Sequence, residues 1–164
     1  MKKVMTAGLV VAGLAAAGGA VLAQAGADGT QFVRVMPGQE HWVDYKGDGA
    51  QFGIKEAFIY GDPSKPGLYV IRLKFPPGVM SSPHSHPESR IGTVIKGTWW
   101  TGTGAKFDPA STMPVPVGGI MVHPAGGVHY DGARNEETIV QMMGVGPSGK
   151  KTVDPSQPGF IKVN

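Results

Sequence analysis

The sequence predicts an all-β protein, a single small β-barrel or sandwich behind a short N-terminal segment of different character. Three observations predict it. Gly (26) and Pro (14) make up about a quarter of the 164 residues. That excess fits short strands joined by tight turns and argues against a helical bundle, which is rich in Ala, Glu, Lys and Leu. Strand candidates and turn signals then alternate at roughly 10-residue spacing. Finally, no segment sustains a helical period with caps. The hydrophobic fraction of 41% supplies the apolar runs that a disordered chain lacks.

Residues 1–25, MKKVMTAGLVVAGLAAAGGAVLAQA, read as an address. Lys2 and Lys3 start it, an uncharged run from Val4 to Leu22 follows, and Ala23-Gln24-Ala25 offers small residues for cleavage. This is the three-part layout of a secretory signal peptide. The rival reading, a membrane anchor, is weakened by Gly8, Gly13, Gly18 and Gly19 and by the many alanines. Residues 26–164 are then one domain working in the periplasm or outside the cell, with no membrane contact after cleavage.

Within that domain, residues 31–45 hold two short alternations, at 32–35 and 42–45, each an edge-strand candidate. Edge strands of this kind are candidates for pairing in a homodimer. Residues 54–60 are β-branched and aromatic and stop at Gly61-Asp62-Pro63. Residues 68–75 alternate and stop at Pro76-Pro77-Gly78. Residues 90–101 read as one strand ending at Gly102-Thr103-Gly104. Residues 119–123 and 138–145 complete a barrel core over about 54–146, with roughly 8 to 11 strands expected. The tail, 150–164, reads as polar.

Charge excludes one class of function. Without Lys2 and Lys3 the formal +3 falls to +1, and Lys150-Lys151 is the only adjacent basic pair left. Nucleic acid requires a basic surface to displace counterions. Cysteine is absent, so any metal must be held by histidine and carboxylate.

The histidines carry the chemistry. His84-Ser85-His86 places two imidazoles on one face of an extended strand, so both can reach one ion. His129 is the third candidate. Three protein ligands leave positions open on a divalent transition metal such as Fe, Mn, Zn, Ni or Cu. His123, at the end of an apolar strand before Pro124, reads as a core or hydrogen-bonded residue, and His41 as a surface one. Trp99 and Trp100 take opposite faces, so one of them points inward. Gln141 and Met143 share a face, one of them a possible cavity liner. Tyr130 points away from the side His129 takes. Glu136 and Glu137 read as a solvated turn.

These residues resemble the cupin superfamily, in particular its single-domain bacterial members of unassigned function. Gly78-x5-His84-x-His86, closing on Gly97, resembles the first cupin motif. Gly118-x5-Pro124-x-Gly126-x2-His129 resembles the second. Where the family's second motif ends on Asn, this chain has Ala133. The resemblance spans roughly residues 68–146 and implies a jelly-roll barrel with His84, His86 and His129 as metal ligands. It also implies a carboxylate six residues before Gly97, and Arg90 holds that seat. Either Glu88, two residues earlier, supplies the carboxylate as ligand or base, or the site has three histidines and Arg90 points inward. Arg90 would then hold an anionic substrate or pair with Glu88. The implied activity is that of an exported metal-dependent oxygenase, isomerase or lyase on a small molecule, an anionic one where Arg90 holds it; a non-catalytic ligand- or metal-binding protein is the alternative.

Overall fold

The structure is a computed structural model and describes residues 32–163. The address segment at 1–25 lies outside the described residues. Among these residues thirteen strands form, more than the sequence suggests because several span only two or three residues. In chain order they are β1 (Val43–Asp44), β2 (Lys55–Tyr60), β3 (Gly67–Phe75), β4 (Val79–Ser81) and β5 (His84–Ser85). Next come β6 (Arg90–Lys96), β7 (Trp99–Thr103), β8 (Met113–Val115) and β9 (Ile120–His123). The last are β10 (His129–Gly132), β11 (Thr138–Gly146), β12 (Lys151–Thr152) and β13 (Phe160–Lys162). Among the described residues the helical elements are two short 3₁₀ turns, Gly47–Phe52 and Pro109–Ser111.

The strands build two antiparallel sheets. One runs β1-β2-β3-β11-β6-β9. In the other, β10 pairs with β7 on one side and with β4 and β5 on the other, while β8, β12 and β13 extend it. Inward residues alternate with outward ones, as the pleat requires. On the first sheet, Val94, Val140, Leu73 and Glu56 stand in one cross-strand row, and His123, Arg90, Gly144 and Tyr69 in another. The two inner faces enclose a core around Ile54, Tyr69, Phe75, Val94, Trp99, Val140 and Met142.

Four expectations change. Residues 32–35 form no strand. The run 90–101 is two strands, broken where Gly97 adopts φ 71°, with Glu137 O only 2.5 Å from where a Cβ would sit. Gln141 and Met143 face outward, because Val140 and Met142 take the buried face of β11. The tail is partly structured: Phe160 is buried under the edge of Tyr45, ring centroids 5.4 Å apart. The two tryptophans divide as expected. Trp99 is buried, while Trp100 lies outside with Arg134 stacked 4.5 Å above it.

Candidate functional site

Strand pairing assembles the histidines. His84 on β5 is directly opposite His129 on β10, and His86 follows His84 by two residues. The ring centroids lie 4.4 Å apart for His84–His129, 4.9 Å for His84–His86 and 5.5 Å for His86–His129. One ligand nitrogen from each falls within 4.8 Å of the others, and all three side chains are buried.

Hydrogen bonds fix which nitrogen faces the centre. His84 Nδ1 donates to Ser82 O (2.7 Å), His129 Nδ1 to Gly127 O (3.0 Å) and His86 Nδ1 to Gly149 O. A carbonyl only accepts, so each Nδ1 carries the proton and each Nε2 keeps a lone pair. Nε2 of His86 and of His129 is buried with no partner. Burial pushes all three imidazoles below their ordinary value, His86 to about 3, and the neighbouring Arg90 adds to the effect on His86. At neutral pH they are therefore uncharged. Neutral imidazoles with inward Nε2 lone pairs and backbone-anchored Nδ1–H groups are the donor set that a divalent transition metal requires. His84, His86 and His129 are the residues that could hold it.

The other candidates are placed differently. Glu88 belongs to neither group of residues able to share an ion. Tyr69 Oη donates to its Oε1 at 2.7 Å, and its Oε2 is buried without a partner. Tyr69 thus holds this carboxylate, which is not grouped with the three histidines. Arg90 points inward and is only 7% exposed. It pairs with His123 rather than Glu88, its Nε donating to His123 Nδ1 at 3.4 Å.

Three inward residues are not legible as site residues from sequence. His123 is buried as expected, yet its ring lies 3.7 Å from that of His129. Because Arg90 cannot give up its proton, His123 Nδ1 accepts, and the proton of this neutral ring sits on Nε2, a buried donor with no partner. Burial and the neighbouring His129 and Arg90 hold it neutral. Asp131, two residues after His129 and on its face, joins His123 and His129 in a second group. The parity of 129 and 131 is the one signal that could have found it. Its Oδ1 accepts from Ser81 Oγ at 2.9 Å. Lys150, read as part of a polar tail, lines the cavity instead.

That cavity measures about 220 Å³. Arg90, Lys150, His84 and His86 line part of it; Ile71, Leu73, Phe75, Val140 and Met142 line the rest. It is smaller than the ~300–1,000 Å³ of sites for drug-sized ligands. A divalent ion held by His84, His86 and His129 would supply Lewis-acid chemistry to a molecule in this space.

Comparison with solved structures places this architecture. A polyketide cyclase, RemF from Streptomyces resistomycificus, superimposes with TM-score 0.65 at 15% identity, covering 79% of this chain and 90% of that one. KdgF from Halomonas sp. gives TM-score 0.53 at 20% identity, covering 70% of this chain and 94% of that one. A cupin-2 domain protein from Rhodospirillum rubrum gives 0.58 at 16%, covering 77% and 82%. No family model and no curated protein matches the sequence. The chain thus shares its fold with solved cupin-type structures.

Proposed function

We propose that the protein is an exported, metal-dependent enzyme acting on a small, anionic molecule at the three-histidine site. The observation that carries this reading is the common orientation of His84, His86 and His129, each with Nδ1 on a backbone carbonyl, and with the buried Nε2 of His86 and His129 unpartnered. Protein structure rarely buries lone pairs without partners unless a ligand, ion or water meets them. Arg90 would hold the anionic part of the substrate. Oxygenase, isomerase and lyase chemistry all fit such a donor set. Export rests on residues 1–25.

A second reading, a non-catalytic ligand- or metal-binding protein, is favoured by one observation. Glu88, the expected base, is bonded to Tyr69 and stands apart from the histidines. A base must reach the proton it removes.

Metal analysis of the purified protein tests both readings at their root. The expected result is about one transition-metal ion per chain, lost in His84→Ala and His129→Ala. A folded protein that takes up no metal overturns them. Product analysis with a panel of small acids then separates catalysis from binding.

A further inference from the structure

Two cations, Arg90 and Lys150, line the cavity, and among the described residues neither forms an ion pair with a carboxylate. We propose that the cavity binds a small molecule through a carboxylate seated on the free end of Arg90, with Lys150 as the second cation and an apolar body against the aliphatic wall. The proposal rests on reading the cavity as a ligand site, and names the class of ligand.

Arg90 is the main anchor. Among the described residues its one hydrogen bond is the contact from Nε to His123, and no carboxylate lies within ion-pair distance of it. The terminal nitrogens of a guanidinium that is always charged are left without an acceptor. Burying such a group unpaired is costly. Lys150 is similar. Its Nζ donates to Gly159 O at 3.0 Å and sits 4.2 Å over the Phe160 ring; Asp48 and Asp131 act on its charge from nearby, but among the described residues no carboxylate forms an ion pair with it.

The nearby acids accept hydrogen bonds from other groups rather than from Arg90 or Lys150. Glu88 is held by Tyr69 and Asp131 by Ser81, and Asp48 accepts from Gly159 N. Glu56 faces the same space, and burial pushes its carboxyl up, toward the uncharged form. A further donor completes the set: Trp99 is 1% exposed, lines the cavity, and its Nε1–H has no partner.

This donor set selects among anions. The Arg fork matches the two oxygens of a carboxylate. A phosphate presents a third charged oxygen, which would be turned toward Ile71, Val140 and Met142. The same aliphatic wall suits a short hydrocarbon or a ring behind the carboxylate.

Calorimetric titration of the full chain, stripped of metal by chelation, tests this with benzoate, butyrate, benzamide and inorganic phosphate. Benzoate or butyrate is expected to bind saturably, while benzamide, the uncharged isostere of benzoate, and phosphate do not. Arg90→Gln is expected to weaken carboxylate binding by about thirtyfold or more, and Lys150→Gln by about tenfold. Without ligand, Arg90→Gln should melt no lower than the parent, since it removes an unpaired buried charge. Lys150→Gln and Arg90→Lys give the same readout should Arg90→Gln fail to fold. Equal binding of benzamide and benzoate, preference for phosphate, no carboxylate binding at all, or unchanged affinity in folded Arg90 and Lys150 variants would each overturn the proposal. Metal uptake is measured separately on the same preparations, so loss of the metal reading leaves this result readable.

Discussion

Lowering the pH from 7.5 to 5.5 should destabilise the metal-free protein sharply. His84, His86, His123 and His129 are 1–6% exposed, and burial depresses all four below the ordinary imidazole value of ~6.5. The unfolded chain takes up protons as pH falls through ~6.5, while the folded chain resists until about pH 3, the value for His86. Stability is therefore full above ~6.5 and drains away from there down toward 3. Each histidine contributes roughly 1.4 kcal/mol to the loss over this interval, and the four together roughly 5 kcal/mol. Glu56, whose carboxyl is raised by burial, works the other way, by one proton at most. A loss of this size rivals the whole ~5–15 kcal/mol of an ordinary domain. Thermal melts in chelator at the two pH values measure it, and a fall of well over ~10 °C is expected. His123→Gln should remove about a quarter of the pH dependence. Excess zinc should protect at pH 5.5, because protons must then displace the ion. A melting temperature that moves by less than ~2 °C without metal would refute the argument that these four rings are held neutral by burial.

Two substitutions probe the scaffold behind the site. A Cβ at Gly92 would sit 2.5 Å from Trp99 Cη2 and 3.0 Å from Met142 Sδ, so Gly92→Ala should cost about 1–3 kcal/mol in urea unfolding and shift the Trp99 emission. Tyr69→Phe leaves the Glu88 carboxylate without its donor and should cost about 1–3 kcal/mol with an unchanged urea m-value. A loss below ~0.5 kcal/mol would mean that water replaces the hydroxyl.

Local pattern made much of this legible. Residues 68–75 alternate in sequence and pair as β3 with β11 along its whole length. His84 and His86 declare their common face by spacing alone, and the motif resemblance supplies His129. What pattern could not supply is contact between distant elements. His123 and Arg90 become neighbours through the register of β6 against β9, which no local signal encodes. Lys150 reaches the cavity because β12 pairs with β5 and Phe160 on β13 packs inward. Glu88 is separated from His86 and Arg90 by a bend, since β5 ends at Ser85 and β6 begins at Arg90, so even-numbered spacing alone does not place it on their face.

The three groups that aim the histidines are main-chain carbonyls, of Ser82, Gly127 and Gly149. Substitution cannot delete a carbonyl as it deletes a side chain. Descendants of this sequence could therefore exchange Arg90, Lys150 or the aliphatic wall, and so change what is bound, while the imidazoles keep their aim. Conversely, an insertion or deletion within 82–86, 127–129 or at 149 would misdirect a ring even with every histidine retained.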